Sequence, residues 1–263
     1  MSDYHIRLYQ DSDYDRVRDL FAKGILEHTQ VAFNHALTLP HVWIFITGVF
    51  LLPLLASCSF IISVLSVFLV LAGLWLGTRY LYISYVTYTL SDDMLDVKKY
   101  YLQRDGYCFW VAESVGEVVG TVAATPSFYP GGERHLELKR MSVAQSHRGK
   151  GIAKALCRTL IDFARKRGCE AVILETSHSQ RAAQILYEAM GFRLQSSYVI
   201  EHIFGKAVNF KVEKCLITGF VCTRTRTMTV REIFLRKAPW STIEWPSTMP
   251  SHCHTFGFLC LSF

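Results

Sequence analysis

Asparagine is scarce in this 263-residue chain, occurring only as Asn34 and Asn209. Neither begins an N-x-S/T sequon, so nothing points to glycosylated, luminal exposure. Cysteine is present, but C-x-x-C is not. The eight thiols (Cys58, Cys108, Cys157, Cys169, Cys215, Cys222, Cys253 and Cys260) are irregularly spaced and read as mostly buried. His178 and His252-Cys253-His254 lack a second pair at ligand spacing, so no metal is expected. The net charge of +6 comes without an Arg/Lys stripe interleaved with aromatics, so no nucleic acid is expected. That modest surplus suits an anionic cofactor or a membrane surface. No signal peptide is visible, because polar helical sequence precedes the first apolar block.

Charge is missing altogether from residues 42–78. As one helix this block would run about 55 Å at ~1.5 Å per residue. A bilayer's hydrocarbon core is about 30 Å thick and takes ~20 residues. The block is too long for one span and slightly short for two. Pro53 and Ser57-Cys58-Ser59 offer a break, so a helical hairpin or re-entrant pair across 37–88 is expected, in contact with a lipid bilayer. Trp43, Trp75, Tyr80, Tyr82 and Tyr85 suit interfacial belts.

Around the block the pattern alternates. A strand is predicted at 4–9 and a helix at 11–28, both within an N-terminal segment 1–36. Ser91 is expected to open a helix through about Gln103. Strands follow at 107–113, 118–125 and 136–143, with a turn at Gly116-Glu117. A helix is predicted at 149–167, closed by Gly168. Then come a strand at 171–176, a helix at 179–190 capped by Ser179, and strands near 192–200 and 207–216. Residues 89–216 form the core, and 217–263 read as an irregular tail with no period.

The chemistry concentrates where the strand ending Met141-Ser142-Val143 passes into the helix. Between them Arg148-x-x-Gly151-x-Ala153 sets small residues at a helix start, whose unpaired N–H groups and positive dipole end bind phosphate without a metal. G-x-G-x-x-G and its downstream ribose acid are absent, which excludes a Rossmann dinucleotide site. Alone, this loop supports phosphate binding and no more.

A second motif, Ala183-x-x-Leu186-Tyr187-x-x-x-Gly191-Phe192, follows. Together the two resemble the GNAT acetyltransferase signatures Q/R-x-x-G-x-G/A and A-x-x-L-Y-x-x-x-G-F. The inserted apolar block and the stretch His135 to Val143 are similar to the camello, or N-acetyltransferase-8-like, family over residues 1–216. The resemblance implies an α/β (α+β) GNAT fold: a mixed, mostly antiparallel sheet with a splayed parallel strand pair, interrupted by the membrane hairpin. It implies an acetyl-CoA-dependent N-acetyltransferase. Gly149, Lys150, Gly151, Ile152 and Ala153 would cradle the pyrophosphate, Arg148 would add charge, and Met141 and Val143 would flank the pantetheine arm. Tyr187 would protonate the departing thiolate. Glu137 is the candidate base, with Glu133 and His135 as competitors. The acceptor is expected to be a primary amine, of a cysteine S-conjugate or related amino acid, or alternatively a protein lysine. A catalytically weak membrane module that keeps the fold is the remaining alternative. The family implies the endoplasmic reticulum. Because the first strand and the later ones must share one sheet, the block returns to its own side, and acetyl-CoA synthesis favours the cytosol.

Overall fold

The computed structural model describes residues 4–57, 59–127, 134–199 and 211–218. Seven strands form one sheet: β1 (His5–Leu8), β2 (Cys108–Ser114), β3 (Glu117–Pro126), β4 (His135–Val143), β5 (Ala171–Ser177), β6 (Arg193–Val199) and β7 (Lys211–Thr218). Their spatial order is β1-β2-β3-β4-β5-β7-β6. Only β4 and β5 pair in parallel, and the five other neighbouring pairs are antiparallel. Six α-helices accompany the sheet among the described residues: α1 (Tyr14–Leu26), α2 (His28–Ala36), α3 (Pro40–Ser57), α4 (Phe60–Ser91), α5 (Ile152–Lys166) and α6 (Arg181–Ala189).

The period-2 pattern of the strands divides the core between two faces. Trp110, Val122, Ala124, Leu138, Val172 and Leu174 pack beneath α5 with Leu156, Leu160 and Ala164, while Phe109, Val111 and Ala123 pack on the other face with Val17, Phe21, Tyr85 and Val86. This is the mixed, mostly antiparallel architecture the sequence suggests, with a long apolar helix inserted between β1 and β2.

That helix, α4, has 32 residues and is long and apolar enough to cross a membrane by length and composition. α3 precedes it and leans against it, with the Phe50 and Phe60 rings edge-to-face at 6.0 Å. Both carry bare apolar side chains: Ile44 is 73% exposed, Leu55 77% and Leu69 74%. Pro53 lies inside α3 rather than ending it.

Several local expectations are corrected. Ser91 closes α4 instead of opening a helix, because α4 continues into the domain and buries Tyr82, Tyr85, Val86 and Thr89. Beyond it only one short π-turn forms, at Lys98–Leu102. The β2–β3 turn is Val115-Gly116, both at positive φ (51° and 78°), as tight hairpins require. Helix 11–28 is split, and its continuation α2 runs to Ala36. Ser179 does not cap α6. Gln180 stands there, its side-chain oxygen accepting from the Ser177 N–H at 3.1 Å and the Thr176 hydroxyl at 3.0 Å. The Ser179 hydroxyl instead bonds Ser177 at 2.7 Å and Tyr82 of α4 at 2.9 Å. Glu133, residues 219–263 with His252-Cys253-His254, and the first part of the strand expected at 207–216 lie outside the described residues.

Candidate functional site

β4 and β5 pair from His135–Ala171 to Leu138–Leu174 and no further. β4 nevertheless runs on to Val143 and β5 to Ser177, so the two strands part. The cause lies in β4. Between its pairs with β3, the register moves from Ala123 to Thr121 on β3 but from Lys139 to Ser142 on β4. β4 therefore carries an extra residue, a bulge that bends the strand away from its neighbour.

The bulged residue is Arg140, at φ +55°. The left-handed region costs a side-chain-bearing residue about 1–2 kcal/mol, so Arg140 must be held. Its buried guanidinium donates to Asp93 Oδ2 at 2.7 Å and to the Tyr85 hydroxyl at 2.7 Å. It also lies over the Phe21 ring at 5.4 Å. The Tyr101 hydroxyl donates to the same Asp93 oxygen, and the Thr121 hydroxyl to the Arg140 carbonyl at 2.8 Å. The bulge is thus bolted to α1, to the end of α4 and to the segment just after it.

Between the parted strands opens a cleft of about 480 Å³. Met141 and Val143 line one side, and Ala183, Leu186 and Tyr187 of α6 line the other. The start of α5 closes one end through Arg148, Gly149, Gly151, Ile152 and Ala153. Gly149 and Gly151 adopt φ of +78° and +81°, which L side chains rarely adopt. The first intrahelical bond runs from Ala155 N–H to the Gly151 carbonyl at 3.0 Å. The N–H groups before it therefore have no intrahelical acceptor, and the dipole end favours an anion there. Lys150 stands between the two glycines. The Arg148 guanidinium is engaged, donating to Glu27 at 2.6 Å and to the Val143 carbonyl at 3.1 Å. It therefore ties the loop to the α1–α2 corner.

Tyr187 is buried and edge-to-face with Phe192 at 5.6 Å. Burial raises its phenol well above the usual range, with Cys157 and Cys215 adding to the effect. The group stays protonated at neutral pH, which makes it a hydrogen-bond donor. Cys157 is itself pushed up to about 12 by burial, so it is no thiolate nucleophile.

The three candidate bases separate. Glu133 lies outside the described residues. His135 sits at the closed end of the β4–β5 pair. Glu137 is buried at 2% exposure, paired with Lys139 at 3.4 Å, and its Oε1 has no protein hydrogen-bond partner. It stands just behind the residues that line the cleft. The structure adds residues that sequence reasoning missed. Lys139 and Glu175 line the cleft directly, as do Phe21, Gly24, Ile25, Glu27 and His28 of the α1–α2 corner. A Cβ at Gly24 would come within 2.5 Å of the Ser142 hydroxyl, which donates to the Leu20 carbonyl at 3.0 Å. The one legible signal was Glu175 itself, a lone charge in the otherwise uncharged strand 171–176. Among the described residues, no group of three or more His, Cys, Asp or Glu is placed to hold a metal.

The chain matches the Acetyltransferase (GNAT) family over residues 75–192. It is 47% identical over 199 residues to mouse N-acetyltransferase 8F1, covering 75% of this chain and 90% of that one. It is 46% identical over 199 residues to mouse N-acetyltransferase 8B, covering 75% and 86%. With rat N-acetyltransferase 8 the figures are 44% over 194 residues, 73% and 87%. Sheet order, the parted parallel strands, the helix start beside them and these relatives agree: the chain belongs to the GNAT acetyltransferases, in the N-acetyltransferase 8 family, and is an acetyl-CoA-dependent N-acetyltransferase.

Proposed function

We propose that this enzyme acetylates the primary amine of an amino-acid derivative, a cysteine S-conjugate in the first instance, at a membrane surface. The observation that carries the reading is the gap between β4 and β5 opening onto the start of α5. The fit to acetyl-CoA rests on that geometry: a helix start shaped by two left-handed glycines at one end, and a strand edge beyond Leu138 that β5 does not pair. Residues 149–153 hold the pyrophosphate through main-chain N–H groups, while Met141 and Val143 offer their backbones to the pantetheine arm, much as an added strand would. When bound, acetyl-CoA supplies the acetyl group as an activated thioester.

The chain's own residues then do three things. Backbone N–H groups of β4 face the acyl oxygen. Glu137 takes the ammonium proton through a bridging water, since it stands one residue behind the cleft wall. Its unpaired buried oxygen is an acceptor without a donor, which a buried carboxylate does not tolerate cheaply. Tyr187 donates to the leaving sulfur. The thiolate leaves against that hydrogen bond and takes up the second proton that the attacking nitrogen sheds. A peptide lysine is the alternative acceptor, and the relatives' names do not choose between them.

The membrane reading rests on the bare apolar faces of α3 and α4. The sheet takes in β1 from before the hairpin and β2 from after it, so the two arms leave and return on one side. Family resemblance points to the endoplasmic reticulum, and the supply of acetyl-CoA to its cytosolic face.

The test is acetyl-CoA-dependent thiol release by detergent-solubilised protein with S-substituted cysteines and a lysine peptide. Glu137→Gln and Tyr187→Phe should each lower kcat about 10²-fold while the KM for acetyl-CoA stays near wild type. Release of thiol with none of these amines, alongside no binding of CoA, would sink the reading.

A further inference from the structure

Immediately beyond Leu138 and Leu174, the last residues paired across β4 and β5, each strand presents a charge. On β4 it is Lys139, and on β5 it is Glu175. Leu138 and Leu174 face the α5 side of the sheet. By alternation Lys139 and Glu175 face the other side, where Ala123, the cross-strand partner of Lys139, belongs to the core against α1. Both line the cleft. The Lys139 side chain is 14% exposed, and Glu175 is 7% exposed. Their surroundings hold them in place. Glu137 pairs with Lys139 at 3.4 Å, the Tyr198 hydroxyl donates to Glu175 at 3.2 Å, and Lys214 of β7 is the residue directly opposite Glu175.

We propose that Lys139 and Glu175 are the two halves of a zwitterion site, Glu175 receiving the acceptor's α-ammonium and Lys139 its α-carboxylate. This rests on the amine-acetylation reading and narrows it to free α-amino acids whose side chains vary. The spacing argues for it. Neighbouring strands lie about 4.8 Å apart at the last paired position and widen beyond it. An α-amino acid carries its two charges a few bonds apart and bridges such a mouth. A lysine ε-ammonium has no carboxylate at that distance and would leave Lys139 unmatched by the substrate. Burial strengthens the discrimination, since charges count for more in a low-dielectric cleft. The pairing also points the α-amine into the gap where the strands part. Glu137, which takes the ammonium proton, also fixes Lys139 at the lip.

The experiment compares S-benzyl-cysteine, its carboxamide and a lysine peptide as acceptors for the full-length protein in detergent. Wild type should favour S-benzyl-cysteine over the carboxamide by about 10- to 100-fold in kcat/KM, the worth of one charged hydrogen bond. Lys139→Met should bring that ratio close to one, and Lys139→Arg should restore much of it. Glu175→Gln should raise KM for both cysteine acceptors. In all three variants an unchanged KM for acetyl-CoA reports an intact fold. A wild-type ratio near one, a ratio that survives Lys139→Met, or turnover confined to the lysine peptide overturns the zwitterion site and leaves acetyl transfer standing. Absence of turnover with every amine overturns both. A wild-type ratio near one overturns the site even where a variant fails to fold.

Discussion

Arg140 shows how one residue shapes the cleft. Its backbone provides the bulge, and its side chain, through Asp93 and Tyr85, keeps the bulge in place. Removing the guanidinium leaves the Asp93 carboxylate buried without its cation. Breaking a buried pair in this way costs about 3–5 kcal/mol, a large share of the ~5–15 kcal/mol of a typical domain. Arg140→Met should therefore lower Tm by on the order of 10 °C. Adding Asp93→Asn should recover much of the loss, because the stranded charge goes with it. The check is a double-mutant cycle by thermal melting in detergent. If the two losses simply add, the pair is not what holds the bulge. None of this was legible in the sequence. Arg140 reads there as one more cation in a strand, and a left-handed arginine has no local signature.

At the scale of elements, two histidines sit where helices and loops meet the sheet. His28 begins α2 beside the cleft, and His178 follows β5 with its ring 4.1 Å from that of His35. Burial lowers both below the usual imidazole value. At His28, Glu27 opposes the shift and Arg148 adds to it. At His178, the hydrogen bond with the Lys211 carbonyl opposes it, and His35 and Lys211 add to it. The unfolded chain therefore binds protons more readily than the folded one. Stability is full above the unfolded pKa of about 6.5 and is lost as pH falls below it. Thermal melting between pH 7.5 and 5.5 should show Tm falling, and His178→Gln should flatten that slope. An equal slope in the variant would remove His178 from the account.

The elements themselves were largely readable. The strand–loop–helix passage around Arg148 and the apolar periodicity of residues 152–164 fix β4 and α5 locally. The errors arose where tertiary contact decides. Ser91 looks like a helix opener, yet α4 runs on to end there because Tyr82 and Tyr85 find buried partners in the domain. Ser179 looks like a cap, yet its hydroxyl is taken by Tyr82 and Ser177. The cleft was half legible. Motif residues at the α5 start and on α6 are there, but the α1–α2 wall and Glu175 come from distant sequence that only the sheet brings together.

For the whole molecule, the apolar faces of α3 and α4 predict how it partitions. Leu65 and Leu69 are 57% and 74% exposed on α4. A lysine near the centre of a span costs about 2.5–3.5 kcal/mol. Wild type should stay with carbonate-washed membranes, while Leu65→Lys with Leu69→Lys should shift much of the protein to the supernatant. Wild type recovered in the supernatant would remove the bilayer from the reading.

β1 gives the molecule a schedule. Arg7 bonds to Glu113, 106 positions further along the chain. A ribosome adding about 5–20 residues per second reaches that partner only after many seconds. Until then the first strand has no sheet to join. α3 and α4 are finished earlier, and as they pack together Ala36 comes back against Tyr82 of α4. The chain that must still be closed is then shorter and its entropic cost smaller. A hairpin that formed first would hold β1 and the later strands within reach of each other.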